Sequence, residues 1–366
     1  MRFSNFWTYR RILFSKGFMA ALLQARRNLR DSARNRPLSA GPYLAELDLT
    51  YKCNGRCLMC QRWNDPQDNE LQLAEYEHLA QTLRSMGTHQ VSIAGGEPLL
   101  RPDVFQIMQC FSQRKMSVNL CTNGVLLGKN IEAVINSGAT CVTVSLDGAC
   151  AETHDRIRGM PGSFAQIESA LHRFLHRDPA SRPIVRVRMT FSQENSREIG
   201  AFCRKWEPVA DDVLLQPVHQ CTEALYNGPS ATAFQFDPET VAAQISGTAF
   251  ENDGYMQQLI KSLRSQGAFP RQECYASILM ARIDPWGTVY PCLEQHNRIG
   301  SLRENDFRTI WNSRQTAQER DRLARERSCS CWFNNTALIG HYGRLLSRSP
   351  AGMLRALLGS SNKRTW

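Results

Sequence analysis

Three cysteines lie close together in one short stretch, Cys53-Asn54-Gly55-Arg56-Cys57-Leu58-Met59-Cys60. The stretch follows β-forming residues from Tyr43 to Leu49, so the pattern predicts a loop directly after a strand. Three thiolates with this C-x3-C-x2-C spacing can bind three corners of one iron-sulfur cube, which leaves the fourth iron without a protein ligand. Zinc is the alternative, but a zinc site usually takes four protein ligands. The stretch therefore favours an open iron-sulfur centre.

A second group of cysteines, Cys274, Cys292, Cys329 and Cys331, lies near the C-terminus. Two β-like runs around Gly287 predict a hairpin that would bring Cys274 and Cys292 together. Four thiolates suit either an iron-sulfur cluster or a four-cysteine zinc knuckle, and the spacing leaves both open. We interpret the cysteines that lack ligand spacing as packing residues; these are Cys110, Cys121, Cys141, Cys150, Cys203 and Cys221.

The composition is that of a globular protein. With 366 residues, 42% of them hydrophobic, the chain can form one large domain and a small one. No apolar run approaches the roughly 18 residues of a membrane-spanning helix, and the N-terminus lacks a clear signal sequence. Thirteen cysteines, partly in ligand spacings, fit a reducing compartment better than a disulfide framework. We expect a cytoplasmic protein.

The net charge of +10 is concentrated at the two ends of the chain. Residues 1 to 40 contain nine Arg or Lys and one acid, and residues 337 to 366 contain five Arg or Lys and no acid. A nucleic-acid-binding protein would spread its basic residues over the folded surface, so we expect no nucleic acid. Residues 3 to 30 predict a basic amphipathic helix, which suits peripheral contact with the inner face of the membrane. The alternative is a helix that packs on the main domain.

Between residues 43 and 216 the sequence alternates short β-rich runs with helical ones. The predicted strands are Tyr43 to Leu49, Gln90 to Ala94, Ser117 to Cys121, Cys141 to Leu146, Ile184 to Phe191 and Val213 to Gln216. The helices between them are expected near 73–86, 102–113, 129–137, 163–177 and 196–205. Strands joined by helices predict a parallel sheet wound into a partial barrel, with function at the C-terminal ends of the strands. The fold class is therefore α/β.

Polar motifs follow successive predicted strands. The second strand is followed by Ala94-Gly95-Gly96-Glu97-Pro98, where two glycines allow a ligand to approach the backbone and Glu97 offers an acceptor. Thr122-Asn123-Gly124 follows the third strand, and Ser145-Leu146-Asp147-Gly148 ends the fourth. Arg158 could bind a carboxylate bidentately, with a solvated surface position as the alternative. His219, after the sixth strand, is a candidate catalytic residue for substrate binding or proton transfer.

The cysteine loop and the motifs after it resemble the radical S-adenosylmethionine (SAM) superfamily. This resemblance implies a 4Fe-4S cluster on Cys53, Cys57 and Cys60, whose open iron chelates SAM and whose electron cleaves it to a 5'-deoxyadenosyl radical. It also implies SAM-binding roles for Gly95, Gly96, Glu97, Asn123, Ser145 and Arg158. One departure is Met59, since the residue before the third cysteine is often aromatic in this family. Trp63 could supply a nearby ring.

The C-terminal cysteines resemble the opening of the SPASM and twitch domains, which carry auxiliary 4Fe-4S clusters. A full SPASM domain has cysteines for two clusters, whereas this segment has four cysteines. The resemblance therefore implies one auxiliary cluster on Cys274, Cys292, Cys329 and Cys331. We divide the chain into a basic N-terminal helix (1–40), a radical SAM partial (β/α)6 TIM-like barrel (41–270), a SPASM/twitch-like domain (271–335) and a basic amphipathic tail (336–366).

The resemblance implies an oxidoreductase or related radical SAM enzyme, and we expect it to act on a small-molecule or lipid-like substrate in a biosynthetic oxidation or rearrangement. A flavodoxin or ferredoxin-like protein is the expected electron donor. A peptide-modifying maturase is the alternative within the enzyme class, and about 40 residues before the barrel are few for a separate peptide-recognition domain. A non-enzymatic iron-sulfur electron carrier is the alternative from another class, but it leaves the glycine-rich motifs unexplained.

Overall fold

The computed structural model describes residues 16–34, 36–64, 68–218, 236–266, 275–293 and 295–326. Its strands are β1 (Leu44–Thr50), β2 (Gln90–Gly95), β3 (Ser117–Thr122), β4 (Cys141–Ser145), β5 (Ile184–Phe191), β6 (Asp212–Pro217), β7 (Met280–Ile283), β8 (Thr288–Tyr290) and β9 (Gly300–Ser301). The helices up to β6 are α1 (Lys16–Ala33), α2 (Leu73–Ser85), α3 (Val104–Ser112), α4 (Leu127–Asn136), α5 (Ala151–Arg158), α6 (Ser163–Leu175) and α7 (Ile199–Trp206). After β6 come α8 (Pro238–Ile245), α9 (Gly254–Gln266), α10 (Ala276–Leu279), α11 (Phe307–Trp311) and α12 (Arg314–Glu326).

The strands form one sheet in the order β6-β5-β4-β3-β2-β1-β7-β8-β9. All neighbours from β6 through β7 pair in parallel, and the last two pairs are antiparallel. The six strands predicted from the sequence are β1 to β6, with ends shifted by a residue or two. The predicted α/β fold with a partial TIM-like barrel is confirmed.

Alternation along the strands gives the sheet one apolar and one polar face. In β5, Val185, Val187 and Met189 are fully buried, whereas the alternate residues Arg188 and Thr190 are partly exposed. Successive side chains of a strand point to opposite faces, so the apolar set packs under the helices and the polar set faces the barrel interior. β1 follows the same rule with the acids Glu46 and Asp48 in alternate positions, although its whole length is buried. The barrel interior is therefore polar.

Helix α5 was not predicted from the sequence. Its residues, AETHDRIR, include a single large apolar side chain, Ile157, which is too few to give a helical hydrophobic pattern. The helix ends at Gly159, whose φ of 60° is left-handed. A Cβ at Gly159 would lie 2.6 Å from the Arg56 carbonyl oxygen, so this helix end closely approaches the cysteine loop.

The predicted hairpin around Gly287 is present as β7 and β8. The Asp284 carboxylate accepts hydrogen bonds from the backbone N–H groups of Trp286 and Thr288, and Gly287 has a φ of 88°. Strand β7 also lies parallel beside β1. The barrel sheet therefore continues into the C-terminal segment.

The described part of the N-terminal helix, α1, packs on the protein. Leu22, Ala25 and Leu29 are buried in a hydrophobic cluster that also contains Leu279 and Cys292. The rest of the predicted helix and the C-terminal tail lie outside the described residues. Among the helices that the structure describes, none has the length and apolar character needed to span a membrane.

Candidate active site

A cavity of about 150 Å³ lies among the motifs that follow the C-terminal ends of the barrel strands. Eight of the predicted site residues line it: Cys53, Cys57, Cys60, Gly95, Gly96, Asn123, Ser145 and Arg158. They come from five separate segments of the chain, and the parallel sheet brings these segments to one edge.

The cysteine loop is held against the end of α5 by backbone hydrogen bonds. The Arg56 N–H donates to the Arg158 carbonyl at 3.0 Å, and the Leu58 N–H donates to the Ile157 carbonyl at 2.9 Å. Burial raises the pKa of the Cys57 thiol to about 11, with the Arg158 charge opposing the shift. Ligation of iron by this thiol therefore releases a proton at neutral pH. Within the described ranges, no group of three or more Cys, His, Asp or Glu side chains is arranged to hold a single metal ion. The thiols that bind a cube each take a different iron, so they need not converge on one point.

The glycines after β2 allow that turn to lie directly against the start of the cysteine loop. The Gly96 N–H donates to the Thr50 carbonyl at 2.7 Å, and the Glu97 N–H donates to the Lys52 carbonyl at 2.9 Å. A Cβ at Gly95 would lie 2.3 Å from the Thr50 oxygen, and one at Gly96 would lie 2.4 Å from the Lys52 oxygen. Glycine is required at both positions because any side chain would separate the two segments.

The Glu97 side chain does not line the cavity. It is fully buried and accepts hydrogen bonds from the Thr122 hydroxyl at 2.7 Å, the Asn123 N–H at 2.7 Å and the Leu99 N–H at 3.1 Å. Burial raises the pKa of this carboxyl, and the hydrogen bonds oppose the shift. Asn123 in turn donates from its side chain to the Asn54 side chain at 2.7 Å. Glu97 thus links the motif after β2 to the motif after β3.

The Arg158 side chain is only 11% exposed and is paired, so the solvated position considered for it is wrong. Its Nε lies 2.6 Å from Asp147 Oδ2, and its Nη1 lies 3.8 Å from the Cys57 sulfur. Burial lowers the pKa of this guanidinium, but Asp147 and Cys57 more than offset that effect, so the net shift is upward. Arg158 is therefore a permanent cation beside the cysteine loop.

Polar residues of the strands also line the cavity: Glu46 from β1, Arg188 and Thr190 from β5, and Gln216 from β6. Of these, Glu46, Arg188 and Thr190 were not predicted as site residues from the sequence. Burial, together with the Asp48 charge, raises the pKa of Glu46 to about 7. Polar residues at alternate positions of otherwise apolar strands were the available signal, because they indicate a face turned away from the core.

Two cysteines depart from the packing interpretation. Cys121 lines the cavity, and Cys150 is exposed. Cys110, Cys141 and Cys203 are buried, as expected for packing residues.

Four other predicted site residues, His219, Cys274, Cys329 and Cys331, lie outside the described residues. Cys292 is described, but it is buried beside α1 and does not line this cavity.

Comparison with known families agrees with this geometry. Residues 47–202 match the family model of the Radical SAM superfamily, and residues 274–332 match SPASM, an iron-sulfur cluster-binding domain. The chain belongs to the radical SAM superfamily. This radical SAM enzyme also carries a SPASM domain, so SAM, a 4Fe-4S cluster and auxiliary iron-sulfur ligation belong to its chemistry. The resemblance seen in the cysteine motifs is confirmed.

Several curated proteins are similar to this radical SAM enzyme over most of its length. It is 27% identical over 294 residues to the AdoMet-dependent heme synthase of Methanosarcina barkeri, a match that covers 75% of this chain and 84% of that protein. It is 26% identical over 288 residues to the mycofactocin maturase MftC of Mycobacterium ulcerans, covering 74% of this chain and 75% of that protein.

A solved structure shares the fold. Streptococcus suis SuiB bound to its precursor peptide SuiA matches with a TM-score of 0.61 at 16% identity, covering 80% of this chain and 69% of SuiB.

The cavity lining fits the cofactors of a radical SAM enzyme. Three thiols on one loop suit three corners of an iron-sulfur cube and leave one corner open. Gly95 and Gly96 place backbone in the same cavity lining as those thiols. Asn123, Ser145 and Arg158 add hydrogen-bonding groups in the same cavity.

Proposed function

We propose that this enzyme binds its SAM-cleaving cluster through Cys53, Cys57 and Cys60 and takes a hydrogen atom from a small polar substrate in the adjoining cavity. The observation that carries the proposal is the cavity itself, whose lining combines the three thiols and the glycine turn with polar residues of β1, β5 and β6. When bound, the cluster would supply one electron, which breaks the S–C5' bond of SAM and gives methionine and a 5'-deoxyadenosyl radical.

The side chains around the thiols suit SAM binding. Gly95 and Gly96 present backbone where the amino group of SAM would bind, and Asn123 and Ser145 offer hydrogen-bonding groups nearby. Arg158 supplies a cation for the SAM carboxylate or for the cluster. Glu97 contributes through position: its three accepted hydrogen bonds hold Asn123 at the cavity wall.

Arg188 in the cavity lining favours a substrate with an acidic group. Arg188 lies half-buried, and its Nη2 donates to the Ser145 hydroxyl at 3.3 Å. Its Nε is buried and has no hydrogen-bond partner within the described part of the chain. A guanidinium in this setting is suited to a carboxylate or phosphate. The lining therefore supports a polar small molecule over the lipid-like substrate also considered. His219 stays a prediction for proton transfer.

A peptide substrate is the second candidate. The likeness to a mycofactocin maturase, and the fold shared with SuiB, whose structure holds a precursor peptide, favour it. The likeness to a heme synthase favours a non-peptide substrate instead.

Three further roles complete the proposal. Cys274, Cys292, Cys329 and Cys331 would bind the auxiliary cluster, and a flavodoxin or ferredoxin-like protein would supply electrons.

Membrane contact would have to come from segments other than the apolar face of α1, because Leu22, Ala25 and Leu29 are already buried. Co-sedimentation of the enzyme with anionic and neutral vesicles tests this contact. Sedimentation with anionic vesicles at low salt would support membrane contact, and no sedimentation with either kind of vesicle would exclude it.

The substrate class is tested by stimulation of SAM cleavage. Anaerobically reconstituted enzyme, SAM and a reductant are mixed with a low-molecular-mass extract of the source cells, and 5'-deoxyadenosine is measured. We expect stimulation that survives treatment of the extract with protease and is lost after removal of anionic compounds by anion exchange. Stimulation that protease abolishes would replace the small-molecule proposal with the maturase. No cleavage of SAM in any mixture would overturn the enzyme assignment itself.

A further inference from the structure

Asp147 and Arg158 form a buried ion pair that lies against one of the predicted cluster ligands. The Arg158 side chain is 11% exposed and that of Asp147 is 0% exposed. The Asp147 carboxylate binds one side of the guanidinium, with Nε 2.6 Å from Oδ2. The other side of the guanidinium faces Cys57, with Nη1 3.8 Å from the sulfur. The pair is therefore oriented with its positive end toward the cysteine loop.

The position of Asp147 is fixed from several directions. Its Oδ1 accepts a hydrogen bond from the Thr190 N–H at 2.8 Å, which ties the carboxylate to β5. Its own N–H donates to His154 Nδ1 at 3.1 Å, and its carbonyl accepts from the Asn195 side chain at 2.8 Å. Both the backbone and the carboxylate of Asp147 are thus held, so the carboxylate is a rigid anchor for Arg158.

The backbone of Arg158, at the end of helix α5, is also fixed by a hydrogen bond to the cysteine loop. Arg158 is the last residue of α5, and its carbonyl accepts the Arg56 N–H of the cysteine loop at 3.0 Å. Backbone and side chain of the same residue therefore contact the loop at two points. These contacts limit the movement of the guanidinium relative to the Cys57 sulfur.

We propose that Asp147 is a positioning residue that holds the Arg158 guanidinium against the Cys57 sulfur, and that this contact raises the reduction potential of the SAM-binding cluster. The inference rests on the proposed function, because it takes Cys57 as a cluster ligand. Reduction by a one-electron donor protein adds one negative charge to the cluster. A fixed cation in a poorly solvated position stabilises that charge, and hydrogen bonds to cluster sulfurs shift the potential in the same direction.

The main test replaces both members by neutral residues of similar shape, Asp147→Asn with Arg158→Gln, so that no unpaired charge is buried. The reconstituted full-length enzyme is titrated electrochemically under EPR detection, following the signal that changes on addition of SAM. We expect the ratio of reduced to oxidised cluster at a fixed potential to fall about tenfold, which is about 59 mV for a one-electron couple. An unchanged ratio in a variant that retains its iron and its SAM-responsive signal overturns the inference.

The single variant Asp147→Asn separates positioning from charge. The negative charge of Asp147 by itself disfavours reduction, so its removal would raise the ratio of reduced to oxidised cluster if charge were its whole effect. We expect the ratio to fall instead, because Arg158 loses its anchor and leaves Cys57. A rise would show that Asp147 does not position the arginine. If this variant does not fold, Arg158→Lys tests the same point. Lysine keeps the positive charge but lacks the planar group that contacts Asp147 and Cys57 together. We therefore expect the ratio of reduced to oxidised cluster to fall, but by less than in the double variant.

Arg156→Gln is the matched control. Arg156 lies on the same helix, but its side chain is 49% exposed and pairs with Glu194. Solvent screens this charge, so we expect less than a twofold change in the ratio. If Arg156→Gln changed the ratio as much as the double variant does, a specific role for Arg158 would be refuted. Failure of the proposed function looks different: a SAM-responsive signal that persists without Cys53, Cys57 and Cys60 would move the cluster elsewhere.

Discussion

Replacement of Gly96 by alanine should damage SAM binding through a backbone displacement. A Cβ at this position would lie 2.4 Å from the Lys52 oxygen and 2.7 Å from the Tyr51 oxygen, whereas real Cβ contacts essentially never fall below 3.0 Å. The turn after β2 or the start of the cysteine loop must therefore move by several tenths of an ångström. Overpacking of this kind costs about 1–3 kcal/mol. Because Lys52 adjoins Cys53, we expect the movement to weaken SAM binding about tenfold or more, which corresponds to about 1.4 kcal/mol.

The assay is equilibrium binding of SAM to anaerobically reconstituted enzyme, with iron content and thermal melting measured on the same samples. Gly128→Ala is the control, because its Cβ would lie 3.3 Å from the Cβ of Ala170 on α6, a milder approach than the 2.4 Å at Gly96. Alanine in a helix also lowers the entropy of the unfolded chain, so this variant should be neutral or more stable by up to about 1 kcal/mol. If Gly96→Ala bound SAM as tightly as the wild type at equal iron content, the close approach of the two segments would not be needed for the site.

Further predictions concern the second cluster, the N-terminal helix and a buried histidine. The enzyme should bind about eight irons, and replacement of Cys274 and Cys292 by alanine should remove about half of them; about four irons and one zinc by elemental analysis would instead identify a zinc knuckle. Leu29→Ala should lower the free energy of unfolding by about 2–5 kcal/mol in urea denaturation, because Leu29 is 5% exposed in the cluster around Cys292. Leu23→Ala, at a position 52% exposed, should change it by less than about 0.5 kcal/mol, and equal effects would show that α1 does not pack as described. Burial lowers the pKa of His154 from 6.5 to about 4, so the unfolded chain binds this proton first and stability is lost as the pH falls from about 6.5 to 4. The free energy of unfolding should fall by about 3 kcal/mol over this range, and by less in His154→Asn. Urea denaturation at several pH values measures both, and identical pH profiles of wild type and variant would contradict a neutral buried histidine.

Local patterns predicted most of the barrel. The apolar and β-branched runs of β1 to β6 are separated by helical patterns, and both signals lie within a few neighbouring residues. The three cysteines and the two glycines were likewise visible, because their spacing in the sequence is itself the feature that the site requires. These parts of the site depend on local chain geometry, so the sequence alone was sufficient to find them.

The remainder of the site depends on contacts between distant parts of the chain. Arg158 and Cys57 are 101 residues apart, and helix α5, which presents the arginine, has almost no hydrophobic pattern. The pairing of β7 with β1 is also non-local, and it places the C-terminal segment at the open side of the barrel sheet. Glu97 shows the converse problem, since its sequence position suggested a ligand-binding carboxylate, whereas the fold uses that carboxylate to join two motifs.

The most direct test of the central claim is SAM cleavage by the enzyme lacking all three loop cysteines. Reconstituted wild-type enzyme and the triple variant Cys53→Ala, Cys57→Ala, Cys60→Ala are incubated anaerobically with SAM and a reductant, and 5'-deoxyadenosine is quantified beside total iron. We predict that the variant forms no 5'-deoxyadenosine while it retains the iron of the C-terminal site. Formation of 5'-deoxyadenosine at the wild-type level by the triple variant would contradict the assignment of this loop as the site of SAM cleavage.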